Sequence, residues 1–224
     1  MARQHEWLSA LAAALLFAAW VAVARGPTVP TVWQGSTLVV VDAGHGGVDP
    51  GALTADGREE KQINLAVAHG VAAALAARGV AVRLTRSRDA AITGGASTPE
   101  LEARAQYANH LGATLLVSIH SNTEPTGTVV GPIVYYRAGS ILAQLLANDL
   151  EAELAAATGD VHRPRPAHHL LLMKANMPAV TVELGFLSTP QDLRRLTSRA
   201  WQARLARALA TGVLRYLHRQ GHRP

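Results

Sequence analysis

The stretch VVVDAGHGGVDPGA, residues 39–52, runs three β-branched apolar residues into an aspartate and then sets a histidine among glycines. The apolar run favours a buried strand. The glycines favour a sharp turn off its end. A histidine gains no packing there, so this one is placed to reach something beyond the strand. A phosphate-cradling loop is the rival reading of a glycine-rich turn after a strand. GHGG has neither the Lys-Ser/Thr of a P-loop nor the spacing of a dinucleotide fingerprint.

The same punctuation recurs along the chain. Short apolar runs at 37–42, 80–85, 114–119, 131–136 and 179–184 read as strands. Between them, helical spacing marks 63–79, 99–112 and 140–159, and a last helix is expected over about 201–217. Pro99 stands in a first helical turn, and Gly79 and Gly112 come just past helix ends; both placements are favoured. Strands that alternate with helices and are continuously apolar predict an α/β fold: a twisted, mostly parallel sheet with helices on both faces, as a single catalytic domain. In such sheets ligands bind at the carboxyl ends of the strands.

The candidate site therefore lies in the residues at and just beyond the strand ends. His45 comes after the first strand, His120 (in SIHSN) after the third, and Glu183 (in VELGF) ends the last. Glu60 stands where the next helix begins, across a loop rich in Gly and Asp that can fold back toward His45. The chain has no cysteine, which excludes disulfides, thiolate metal sites and a cysteine nucleophile. Two histidines and one carboxylate form a catalytic zinc set, with the fourth position left for water. A further carboxylate then serves as general base. On spacing alone either Glu60 or Glu183 can be the ligand. Asp42 and Asp49 are candidates to orient the ligands, and Asn122 to hydrogen-bond substrate. Arg86 and Arg104 read as loop braces, His168 and His169 as groove candidates, and the other histidines as peripheral.

The chain has 224 residues, 49% of them hydrophobic, with a net charge of +5. That is enough for one sizeable core and too apolar for disorder. The basic residues are arginines apart from Lys61 and Lys174. This reads as compositional bias, and without a recognition motif nucleic acid is not an expected partner. Arginines 194, 195, 199, 204, 207 and 215 read mostly as a solvated helical face that can also rest on an anionic wall or membrane. At the N-terminus, WLSALAAALLFAAWVAVA (7–24) is apolar except for Ser9. As a helix it would span about 27 Å, close to a bilayer core. Residues 1–25 are thus expected to be a signal anchor or a signal peptide, 26–36 a Pro/Gly/Thr-rich linker, and 37–220 the working domain. Both readings of the first segment carry the domain out of the cytoplasm.

With these residues in hand, the chain resembles the zinc-dependent N-acetylmuramoyl-L-alanine amidases of the Amidase_3 type, from about Leu38 to Tyr216. DAGHGGVDPGA resembles that family's first ligand motif and implies His45. EEKQINLA resembles its second and implies Glu60, the glutamate before the lysine. LTRSRD and ELEARAQYAN resemble the family's second strand and its next helix. SIHSN implies His120 as third ligand, and PAVTVELGFLSTPQD implies Glu183 as the catalytic base. The resemblance, not the spacing, separates ligand from base. It implies Zn2+ as cofactor and peptidoglycan as substrate, and leaves room for an activating protein partner. HHLLLMK (168–174) and the compact form are similar to the CwlD-like subgroup of endospore formers, linked to muramic-lactam formation in spore cortex. The chain departs from the family at Ala43, where proline is frequent, and at Thr189, where asparagine is frequent. Another zinc hydrolase of wall peptides or amides and a non-catalytic wall-binding module are the alternatives.

Overall fold

A computed structural model describes residues 37–54, 56–93 and 98–222. Among them six strands, β1 (Leu38–Ala43), β2 (Ala81–Leu84), β3 (Leu115–Asn122), β4 (Ile133–Arg137), β5 (Arg165–Ala167) and β6 (Ala179–Phe186), form one sheet in the order β2-β1-β3-β6-β4-β5. The four strands β2, β1, β3 and β6 run parallel. β4 is antiparallel to β6, and β5 is parallel to β4. The mostly parallel sheet is as expected, with an inverted pair at one edge. The same residues form six helices: α1 (Glu60–Ala76), α2 (Thr98–His110), α3 (Ile141–Thr158), α4 (Leu170–Lys174), α5 (Pro190–Leu196) and α6 (Arg199–Arg219). Among the described residues no helix is long and apolar enough to cross a membrane. The apolar run 7–24 and the linker lie outside them.

Strand alternation divides the interior. Val39, Val41 and Ala43 join Leu115, Val117 and Ile119 in a large core beneath α1, α3 and α6. Val40, Leu116 and Ala179 face the other way, into a smaller core with Ala105 and Ala108 of α2 and Leu171 and Leu172 of α4. In α1, Ile63, Val67, Val71 and Leu75 recur every four residues and are buried, one stripe against the sheet. Ser140 caps α3, and Gly159 ends it in the left-handed conformation at φ 81°, as helix ends favour.

The smaller-core face positions the site. Successive side chains alternate across a strand, so β3 presents Leu116, Ser118 and His120 on this face, and β6 presents Ala179, Thr181 and Glu183. Both series become polar toward the carboxyl end. The register pairs His120 with Glu183, so two residues remote in sequence become neighbours on one face of the sheet.

Candidate active site

His45 occupies a left-handed backbone conformation at φ 63°, the one such non-glycine among the described residues. For a residue with a Cβ this costs roughly 1–2 kcal/mol. The sequence suggests that the neighbouring glycines do all the turning; Gly46 and Gly47 do have positive φ, but the histidine takes the conformation as well. Gly44 serves differently. A Cβ there would lie 2.2 Å from the His120 ring, so this glycine supplies space. Two buried arginines secure the turn. Arg86 donates to the carbonyls of Ala43 and Gly44, at 2.8 and 3.0 Å. Arg104 donates to those of Ala43 and His45, at 2.7 and 2.9 Å, while paired with Asp42 and Glu100. Both therefore brace loops, as expected.

The ring of His45 is fixed at both nitrogens: Nδ1 lies 2.7 Å from Asp49 Oδ2, and Nε2 lies 3.2 Å from Glu60 Oε2. His120 Nδ1 lies 3.2 Å from the other oxygen of Glu60, and the two imidazoles meet nearly edge-on at 4.9 Å. Glu60, almost wholly buried, also accepts from the backbone amides of Ala52 and Ser121 and from Asn64 Nδ2, at 2.9, 3.0 and 2.9 Å. Its own place at the start of α1, where the helix dipole favours a carboxylate, is compatible with this role. Glu183 lines the same cleft of about 270 Å³, together with Asn122. Its Oε2 is sealed from solvent and has no hydrogen-bond partner among the described residues.

These contacts set the charges. Burial pushes Glu60 up, but hydrogen bonds with His120 and His45 outweigh it and hold the carboxyl far below its ordinary range. Burial opposes a charge on His45, yet its contacts with Glu60 and Asp49 raise it to about 9. His120 is raised against its burial by Glu60 and Glu183. Burial raises Glu183 to about 7, against the pull of His120. The cluster thus favours positive charge at its centre. His45, Glu60 and His120 each offer a ligand atom, all within 4.8 Å of one another. The donor set, its convergence and its preference for a cation all fit a zinc ion.

The structure brings together the four residues singled out from sequence. Asp49 reaches His45. Asp42 does not; it anchors the end of β1 through Arg104, Ser118 and Thr85. Asn64 and Ser121 escaped the sequence reading. Asn64 had a signal, since it stands four residues after Glu60 on one helix face; Ser121 contributes mainly a backbone amide, which carries no sequence signal. His169 packs on Tyr135 and touches Thr181 at 3.3 Å.

Two imidazoles and a carboxylate with a spare carboxylate alongside are the equipment of single-zinc hydrolases of amide bonds. The family model for N-acetylmuramoyl-L-alanine amidase (Amidase_3) matches residues 39–215, and the chain belongs to that family. It is 30% identical to the germination-specific N-acetylmuramoyl-L-alanine amidase of Bacillus subtilis, over 84% of this chain and 82% of that protein. Among solved structures, the amidase AmiC2 of Nostoc punctiforme is 34% identical with a TM-score of 0.74, covering 82% of this chain and 98% of that one. The CwlD amidase of Clostridioides difficile, solved in complex with the GerS lipoprotein, has a TM-score of 0.74 at 28% identity, covering 81% and 98%. The protein is a peptidoglycan hydrolase of the N-acetylmuramoyl-L-alanine amidase type.

Proposed function

We propose that His45, Glu60 and His120 hold a zinc ion and that Glu183 moves the proton as the amide between the lactyl group of N-acetylmuramic acid and L-alanine is cut. The observation that carries this is the convergence of both imidazoles on Glu60 beside a buried, unpartnered Glu183 oxygen. Zinc at such a site supplies Lewis acidity toward a water and a carbonyl. The chain's own residues do the rest. Asp49 holds His45 by Nδ1, so that Nε2, which faces Glu60, is the nitrogen left to ligate. Three donors, the Ala52 and Ser121 amides and Asn64, fix Glu60. Glu183 takes a proton from the attacking water and delivers it to the leaving nitrogen. A carboxyl raised to about 7 is suited to both halves of that transfer near neutral pH.

We place this activity outside the cytoplasm, with residues 1–25 as signal anchor or signal peptide, 26–36 as linker and 37–220 as the catalytic domain. The apolar run 7–24 and the wall substrate of the family support that reading. A protein partner is supported by the likeness to CwlD with its lipoprotein, and use on spore wall by the likeness to the germination-specific amidase.

The test is digestion of purified vegetative and spore-type peptidoglycan, with and without a chelator, read by mass spectrometry. Stem peptides beginning with L-alanine, lost on chelation, are expected; metal-dependent products cut elsewhere would move the scissile bond. Glu183→Gln is expected to retain zinc and fold and to lose roughly 10²- to 10⁴-fold in turnover. Turnover near the parent rate would remove Glu183 from the mechanism.

A further inference from the structure

The arginines of the C-terminal segment divide into two sets. Arg215 pairs with Glu153, and Arg219 with Asp149 at 2.8 Å. Arg194 and Arg204 are exposed and have no acidic partner among the described residues. With Arg195, Gln191, Ser198 and Trp201 they line a depression of about 540 Å³ between α5 and α6. The Trp201 ring holds the guanidinium of Arg195 at 4.6 Å and that of Arg204 at 5.4 Å. Stacking of this kind orients a guanidinium while leaving its N–H groups available.

The placement runs against ordinary helix electrostatics. The start of a helix is its positive end and favours acidic residues. α6 has no acidic residue in its first turn, begins with Arg199, and meets Arg194, Arg195 and Arg204 around the same end. Asp160 and Asp192 answer only Arg195, at 2.8 and 3.5 Å. Positive charge of one sign is therefore gathered around an open, aromatic-walled depression.

The depression is also tied to the sheet. Asp192 accepts from the amides of Phe186 and Gly131 at 3.0 and 2.8 Å, which fastens α5 to the end of β6 three residues beyond Glu183. The depression thus adjoins the carboxyl end of β6, on the larger-core side of the sheet through Leu193, Leu196 and Trp201.

We infer that this arginine–tryptophan depression is a second wall-binding site, which takes a carboxylate of a peptidoglycan stem peptide while the catalytic cleft acts on a neighbouring one. The inference rests on the wall-hydrolase reading above. Arginine forks match carboxylates in paired hydrogen bonds, and free carboxylates recur along peptide-bearing glycan.

The test uses the full chain and the double variant Arg194→Gln/Arg204→Gln. Brief cosedimentation at 4 °C is measured on peptidoglycan stripped of phosphate-bearing polymers, on unstripped wall, and on stripped wall with its carboxylates amidated. The parent is expected to lose retention roughly five- to tenfold on amidation. The double variant is expected to show that lower retention on both stripped walls, with parental kcat on a short soluble muramyl peptide. Parental retention of the variant on stripped wall would overturn the site. Loss confined to unstripped wall would overturn the carboxylate assignment in favour of a phosphate polymer. Retention reads binding alone, so a Glu183→Gln enzyme that still cuts would overturn the proton-transfer role without touching this result.

Discussion

Gly44→Ala isolates space from backbone freedom at the loop that carries His45. Gly44 does not have a positive φ, so alanine brings no conformational strain. It brings one methyl group, placed 2.2 Å from Cε1, 2.3 Å from Nε2 and 2.6 Å from Nδ1 of His120. Ordinary contact begins at 3.4 Å, so the ring must withdraw by about 1.2 Å. A zinc–nitrogen bond tolerates only about 0.2 Å. The backbone of Gly44 cannot yield instead, because its amide donates to Ile119 at 2.9 Å and its carbonyl is held by Arg86. Zinc affinity is therefore expected to fall at least as far as when an outer partner of a ligand is lost, roughly 100-fold or more. Chelator-competition titration reads the affinity, and circular dichroism confirms the fold. Gly57→Ala is the control: φ is +79° with nothing among the described residues within 4 Å of the added Cβ. It should cost about 1 kcal/mol of stability and leave zinc affinity unchanged. Parental zinc affinity in Gly44→Ala would refute the placement of His120 against Gly44, and with it the steric account of this glycine.

Three further outcomes are expected. Asp49→Ala frees His45 Nδ1 and should weaken zinc binding roughly 10- to 100-fold, with little change in melting temperature, measured by the same titration. Arg104→Met leaves Asp42 and Glu100 without their buried cation and should destabilise the fold by about 3–5 kcal/mol in urea unfolding; a loss below about 1 kcal/mol would mean the network is not energetically coupled. Burial raises Asp42, but Arg104, Ser118 and Thr85 together hold it below its ordinary value of 3.8. A carboxyl depressed in the folded state stabilises the protein above its unfolded pKa and loses that contribution as pH falls through the folded one. Acid unfolding should therefore steepen below about pH 4, and Asp42→Asn should flatten that limb.

The site was legible where chemistry coincides with the end of a local pattern. His45 and His120 follow apolar runs and Glu183 interrupts one, and a parallel sheet aligns such positions by topology; β3 and β6 run on to Asn122 and Phe186, so His120 and Glu183 lie inside their strands, near the carboxyl ends. No local pattern says that His120 and Glu183 share a register pair, because register is fixed by packing between strands about 60 residues apart. The buried arginines show the same boundary: LTRSRD and ELEARAQYAN mark Arg86 and Arg104, but not that both converge on the carbonyls of residues 43–45. The inverted edge was illegible for another reason. β5 is three residues containing a proline, too short and too polar for periodicity to register, and alternation in β4 predicts a strand without its direction. Direction is set by the route of the chain. β3 and β4 are separated by ten residues (123–132), and no helix lies between them. So short a link without a crossover helix cannot carry the chain back for another parallel strand, and β4 must return antiparallel beside β6. That return sends α3 up the far side of the sheet and α6 back down antiparallel to it, Arg219 meeting Asp149 and Arg215 meeting Glu153. The start of α6 is thereby brought toward the carboxyl ends of the parallel strands, and the arginines that composition alone reads as genomic bias acquire a position there.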